Sequence, residues 1–183
     1  MTLTFRIANI DDVDSIARIG HESYLHHFQN IWHYLDELKD YVQQEYHPDK
    51  IRHSLAQPLE QWWIIDRAGP IGFIKLSYDQ AISVEQMSNP NLQFIPRGVC
   101  LNKIYLLPQY TGQGLGQSIF NFIETQLQQQ QEQCFWLEVL QDNHPAKKFY
   151  LQQGMQIIGD GHYQYTRQHH QLHIMYKAFN QYA

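Results

Sequence analysis

The stretch Tyr105-Leu106-Leu107-Pro108-Gln109-Tyr110-Thr111-Gly112-Gln113-Gly114-Leu115-Gly116-Gln117-Ser118 ends a strand at a proline, places three glycines at alternate positions, and opens an amphipathic helix. Glycine lets the backbone turn tightly and brings N–H groups close to a ligand. The helix N-terminus adds partial positive charge, so the segment is suited to cradling a pyrophosphate. It is not a Walker A loop, which ends in Gly-Lys-Ser/Thr. Nor is it a full dinucleotide fingerprint, because the acidic ribose-binding residue after the next strand has no clear candidate. On this stretch alone a plain tight turn explains the glycines equally well.

On either side of the loop, Val99 to Leu106 reads as a long strand running up to Pro108, and Gly114 to Gln131 as a helix with Leu115, Ile119, Phe122, Ile123 and Leu127 on one face. Phe135 to Leu140, apolar except for Glu138, fits a strand covered on both faces. Pro145 to Gln153 is the next helix, stopped by Gly154, and Met155 to Tyr165 and Leu172 to Ala178 are two closing strands. Upstream, Leu3 to Ile7 alternates as a strand, and Asn9 to Asp12 supplies N-cap oxygens for a helix carrying Val13, Ile16, Ala17, Ile19 and Tyr24. Trp32 to Glu45 reads as a second helix, and Pro48 opens a short third. Trp62 to Asp66 and Ile71 to Leu76 flank Arg67-Ala68-Gly69-Pro70 as a hairpin, and residues 79–98 read as a loop. This order predicts an α/β fold with helices on both faces of a mixed sheet.

The 183 residues predict one domain spanning 1–183. Apolar residues make up 43%, enough for a core, and thirteen Lys+Arg against eighteen Asp+Glu give a formal net charge of -5. That balance does not suit a broad duplex-DNA face, so no nucleic-acid partner is expected. No run approaches the roughly 18 apolar residues of a bilayer span, and the start lacks the apolar region of a signal peptide; no membrane partner and a cytoplasmic setting are expected. Cys100 and Cys134 read as two reduced, buried thiols. Of the eleven histidines, His169, His170 and His173 lie in a predicted turn and strand, not at i,i+4 on a helix, the pair His26-His27 is similarly unsupported, and no metal is expected.

Beyond the glycine loop comes Asn143-His144-Pro145-Ala146-Lys147-Lys148-Phe149-Tyr150-Leu151-Gln152-Gln153-Gly154-Met155. Together the two segments resemble the signature motifs of the GNAT superfamily of acetyl-CoA-dependent N-acetyltransferases. The first motif, Arg/Gln-x-x-Gly-x-Gly/Ala, stands here as Thr111-Gly112-Gln113-Gly114-Leu115-Gly116. The second, Asn-x-x-Ala-x-x-Phe-Tyr-x-x-x-Gly-Phe, is complete except for Met155 in place of the last Phe. The resemblance implies a mostly antiparallel sheet with splayed central strands, and acetyl-CoA as co-substrate. It implies that the backbone of Ile104, Tyr105 and Leu106 pairs with pantetheine and that Gly112, Gln113, Gly114, Leu115, Gly116, Gln117 and Ser118 hold the pyrophosphate. Asn143, Ala146 and Phe149 would line the rest of the coenzyme, with Tyr150 near the thioester sulfur.

Thr111 departs from the family's Arg or Gln; a cation at that position is worth about 1.5–3 kcal/mol against phosphate, and Lys147 and Lys148 are candidates to compensate. Of the proton-transfer groups, Tyr150 is the candidate acid for the leaving thiolate. Asn102 stands where the family often has a basic Glu, which leaves Glu138 on the next strand as a candidate base through water, or bulk water itself. Within the superfamily the chain looks most like the bacterial PaiA-type spermidine/spermine acetyltransferases, through Ile104-Tyr105-Leu106, Phe135-Trp136-Leu137 and Gly161-His162-Tyr163-Gln164-Tyr165. That likeness implies a small-molecule amine acceptor, the candidate being a polyamine drawn by Glu22, Asp36, Glu37, Asp40 and Glu45 on the early helices. A non-catalytic acyl-CoA-binding sensor and a protein-amine acetyltransferase are the alternatives. The family often forms homodimers through its C-terminal strands, and Leu172 to Ala178 does not separate an edge strand from an interface.

Overall fold

The computed structural model of the protein describes residues 2–82 and 97–179. The elements are β1 (Thr4–Ile7), α1 (Val13–Phe28), α2 (Leu35–Glu45), α3 (Pro48–Leu55), β2 (Glu60–Asp66), β3 (Pro70–Ala81), β4 (Arg97–Leu106), α4 (Leu115–Gln129), β5 (Cys134–Leu140), α5 (His144–Gln152), β6 (Gln156–Tyr165) and β7 (Gln168–Ala178). The seven strands form one mixed, mostly antiparallel sheet in the order β1-β2-β3-β4-β5-β7-β6. β4 and β5 run parallel, with Val99 opposite Phe135 and Cys100 opposite Trp136, while β4 goes on to Leu106 and β5 to Leu140. Among the described residues no helix is long and apolar enough to cross a membrane.

The chain divides into two compact units. The first comprises residues 2–76, 102–113 and 165–168. Its local order starts at Arg6, whose guanidinium grips the carboxylate of Asp12 at 2.6 and 2.7 Å. Arg6 holds that buried carboxyl below the usual range, outweighing its burial. Asp12 in turn accepts from the N–H of Asn9, and the Asn9 side chain accepts from Asp11, so the turn before α1 is capped from both sides. α1 then buries Val13, Ile16, Ile19 and Tyr24 against Leu38 and Val42 of α2, Ile51 of α3, and Trp62, Ile64 and Phe73. Gly20 is required on α1, because a Cβ there would lie 2.2 Å from the ring of Tyr46.

Two expectations for this unit are corrected. α2 begins at Leu35, not Trp32; Trp32 instead drops its ring into the core, and Leu35 is left exposed. The alternation of β1 does not bury Ile7, which is 57% exposed, because β1 is an edge strand with only β2 beside it.

The second unit comprises residues 77–82, 97–101, 114–164 and 169–179. α4 buries Ile119, Phe120, Ile123 and Leu127, so the stripe includes Phe120, and Phe122 at its margin is half-buried. Phe120 packs on Phe135 of β5 with ring centroids 5.6 Å apart. The opposite face of β5 places Trp136 in a cluster with Ile82, Cys100, Ile158 and Ile174. β5 is thus covered on both sides, as its near-continuous apolar run predicts. Cys100 and Cys134 are both buried, and neither is in a disulfide. Of the expected loop 79–98, residues 79–81 belong to β3, which runs to Ala81, and residues 97–98 to β4, which starts at Arg97, while Asn89, Pro90 and Pro96 lie outside the described residues.

Gly72 on β3 faces the backbone of β4 so closely that a Cβ would meet the Tyr105 carbonyl oxygen at 2.4 Å. A backbone oxygen cannot rotate aside. Gly72→Ala is therefore expected to destabilise the fold by about 1–3 kcal/mol, measured as a lowered urea midpoint at unchanged slope.

Candidate active site

The glycine loop is built from both of its ends. The buried Leu107 donates its N–H to the carbonyl of Ile71 at 2.8 Å, fixing the exit of β4 against the start of β3. A short 3-10 turn, Pro108–Tyr110, follows. The Thr111 hydroxyl donates to the Pro108 carbonyl at 2.8 Å, so its proton is used inside the loop. Gln113 donates to the Gln109 carbonyl at 2.7 Å and accepts from Nη1 of Arg67 at 2.9 Å. Gly112 and Gly114 take φ of 70° and 73°, and nothing lies within 4 Å of where their Cβ atoms would be. Both the left-handed backbone and the open space are therefore supplied by glycine.

Gly114 is the N-cap of α4 and offers no side-chain acceptor to the first-turn N–H groups. That leaves the first-turn N–H donors of a 15-residue helix without a side-chain acceptor from their cap residue. The side chain of Gln117 is not one of the donors. Its amide exchanges hydrogen bonds with Gln153 at 2.6 and 2.8 Å and donates to Asn121. Ser118 is exposed on the helix surface, and Leu115 is half-buried.

The end of β4 carries Ile104, Tyr105 and Leu106, all half-buried. The Leu106 carbonyl accepts from Oγ of Ser23 at 2.6 Å, and Ser23 is fully buried on α1. Nothing in the sequence pattern marks Ser23, since its partner lies 83 positions away. The Tyr105 ring joins an aromatic ladder, with Phe73 at 5.7 Å, Phe28 at 6.2 Å, and Tyr24 and Tyr46 at 6.3 Å. These ring pairs fix the strand's side chains on one face.

In the second unit, Asn143 caps α5, its side-chain oxygen accepting from the Ala146 N–H at 3.3 Å. Gly154 stops the helix at φ 81°. Phe149 lies against Gly116, where a Cβ would be 3.4 Å from its ring, and meets Phe120 edge-on at 5.7 Å. Tyr150 packs on Phe149 at 5.4 Å and Phe120 at 6.2 Å. Burial pushes its phenol up to about 12. Glu138 is exposed on β5 opposite Ile174 of β7. Strand alternation puts Glu138 on the Trp136 face, whereas Tyr150 belongs to the Phe120–Phe135 face, so β5 separates the two.

The acidic side chains of the early helices are largely engaged. Arg18 pairs with Glu22 at 3.3 Å. Arg167 binds Asp36 at 2.7 Å and the buried Glu37 at 2.6 Å, and Glu37 also accepts from the N–H groups of Arg167 and Gln168. Glu45 binds Lys103 at 2.7 Å as well as Lys50; burial alone would raise its pKa, but the two ammonium groups outweigh it and hold it low. Asp40 takes no part in these pairs and lines a shallow surface groove with Gln43, Gln44 and His47. Of the two candidate compensating lysines, Lys147 is turned to the Gln141 carbonyl at 3.4 Å, and Lys148 is exposed. Among the described residues no three His, Cys, Asp or Glu side chains group as a metal ion would need.

A family comparison matches residues 25–155 to the acetyltransferase (GNAT) family. A curated relative, an uncharacterized N-acetyltransferase in the pepI 3' region of Lactobacillus delbrueckii subsp. lactis, is 26% identical over 121 residues, covering 66% of this chain. The match spans 65% of that relative's own length. Among solved structures, PaiA N-acetyltransferase from Thermoplasma acidophilum in complex with coenzyme A superposes with a TM-score of 0.73 at 17% identity, over 98% of this chain and all of that one. Mutant forms of the spermidine/spermine N-acetyltransferase SpeG from Vibrio cholerae give 0.62 at 16% identity, over 97% and 95% of the two chains. At these identities the two superpositions speak to the fold. The family match extends from α1 through the glycine loop to the last residue of the second motif, and the chain belongs to the acetyltransferase (GNAT) family.

Proposed function

We propose that residues 1–183 act as one acetyl-CoA-dependent N-acetyltransferase domain that moves an acetyl group directly to a primary amine. The observation that carries this is the open glycine cradle at Gly112 and Gly114, leading into a helix whose first N–H groups have no side-chain acceptor. The N–H groups from Gly112 to Ser118 hold the pyrophosphate, and the backbone of Ile104 to Leu106 orients the pantetheine. Asn143, Ala146 and Phe149 line the remaining length of the coenzyme. Acetyl-CoA supplies the activated thioester.

Three requirements remain for the protein's own groups. An ammonium with a lysine-like pKa near 10.4 costs roughly 4.6 kcal/mol to neutralise at pH 7. The developing oxyanion needs fixed donors, which backbone N–H groups of β4 provide. The leaving thiolate, with a pKa near 8.5, needs a proton. Tyr150 supplies that proton; its elevated phenol keeps it through the whole working range. The amine's proton goes to bulk water or, through a chain of waters, to Glu138, which lies on the face of β5 opposite Tyr150.

A polyamine acceptor draws support from the PaiA-type resemblance and from the names of the PaiA and SpeG neighbours. The pairing of Glu22, Asp36, Glu37 and Glu45 with internal cations removes most of the field that would draw a polycation. The deciding assay is coenzyme thiol release from acetyl-CoA, with spermine and with a simple primary monoamine as acceptors, less the acceptor-free rate. Saturable release with either amine is expected. Coenzyme binding without release to any amine would instead leave a non-catalytic acyl-CoA sensor.

Tyr150→Phe is expected to lower kcat by about 100-fold with coenzyme affinity unchanged, read from steady-state rates and calorimetry. A raised phenol stays protonated, so wild-type kcat/KM should climb with pH as the amine is neutralised and show no alkaline fall below about 11. An alkaline fall near pH 10 that vanishes in Tyr150→Phe would contradict the assignment of an elevated phenol.

A further inference from the structure

We infer that Arg67, in the turn between β2 and β3, is the cation of the pyrophosphate site, replacing the charge that Thr111 lacks. The inference rests on the proposed coenzyme reading of the glycine loop. Arg67 reaches that loop directly, with Nη1 2.9 Å from Oε1 of Gln113. Gln113 is the residue between the two left-handed glycines, Gly112 and Gly114. The turn is held at this place by the backbone bond from Leu107 to Ile71, which lies just beyond Arg67 in sequence and ties the turn to the residue that enters the loop.

Charge accounting singles out Arg67. The chain has six arginines. Arg6 is neutralised by Asp12, Arg18 by Glu22, Arg52 by Asp49, Arg97 by Asp79, and Arg167 by Glu37 and Asp36. Arg67 is bonded to a neutral amide and, among the described residues, has no carboxylate partner. A guanidinium has five donors, and the amide of Gln113 takes one. The remaining donors and the full charge are available to a phosphate, for which the planar fork is well matched.

No side chain within the loop can do this. Thr111 has its proton committed to Pro108, Gln113 gives one amide hydrogen to Gln109, and neither side chain carries a charge. The Gln113 oxygen, in turn, positions the guanidinium. The family's Arg or Gln within the loop is thereby exchanged for an arginine presented by the neighbouring strand pair, with the loop's glutamine as its bracket.

The test is calorimetry of coenzyme A and of 3′-dephospho-coenzyme A binding to wild type and to Arg67→Ala, Arg67→Gln and Arg67→Lys, each checked for folding by circular dichroism. Arg67→Ala is expected to weaken coenzyme A binding about tenfold, with the same factor for the 3′-dephospho form. Arg67→Gln, which keeps a partner for Gln113 but no charge, should be as weak as Arg67→Ala, and Arg67→Lys should recover part of the loss. Unchanged affinity in Arg67→Ala, or wild-type affinity in Arg67→Gln, would overturn the inference. A deficit confined to coenzyme A would assign Arg67 to the 3′-phosphate and overturn its pyrophosphate role. Absence of coenzyme binding by the wild type is a separate outcome, and would sink the coenzyme reading itself.

Discussion

The exit of β4 is the constraint on which the candidate site depends. There the Leu107 N–H is tied to Ile71, and the Leu106 carbonyl is tied to Ser23. Gly72 admits the Tyr105 carbonyl to a distance no side chain would permit. Each of these contacts fixes backbone, not side chain. Buried backbone hydrogen bonds hold the entry of the loop more rigidly than surface side chains would. The positive φ values at Gly112 and Gly114 then turn the chain into α4 without filling the space in front of it.

Electrostatics in the first unit are organised inward. Arg167 lies over the ring of Tyr34 at 4.1 Å and delivers its Nε to Glu37, while the backbone N–H groups of Arg167 and Gln168 complete the carboxylate's coordination. Lys103, half-buried on β4, is pulled down in pKa by desolvation and retained by Glu45. A buried carboxylate with three donors is a structural fastening whose removal leaves donors unsatisfied. Net charge and the acidity of the early helices therefore overstate the field at the surface: the carboxylates counted from sequence are the same ones that hold the turn at 165–168 and the end of α2 in place.

What could be read from sequence is what short-range rules govern. The cap at Asn9, the stop at Gly154 and the Pro48 start of α3 follow from local backbone chemistry, and the structure places them as expected. The signature glycines are legible for the same reason. The misses are long-range. Trp32 leaves the predicted helix because the aromatic cluster with Tyr41 and Tyr165 takes its ring. Phe120 joins the buried stripe because Phe135 and Phe149 flank it. Ser23 and Arg67 find their partners 83 and 46 positions away, and a sequence has no local mark for either.

The exchange of a loop cation for Arg67 follows from how a sheet brings distant turns together. β3 and β4 are neighbours, so the turn that begins β3 and the loop that ends β4 emerge at the same end of the strand pair. An arginine placed in either segment reaches the same anion. The loop position has the shorter tether, but a residue there must also satisfy the tight turn around the glycines. Thr111 meets that local demand through the short bond of its hydroxyl to the Pro108 carbonyl. Moving the charge to Arg67 separates the two demands: the loop's own side chains shape the backbone, and the neighbouring turn brings the charge.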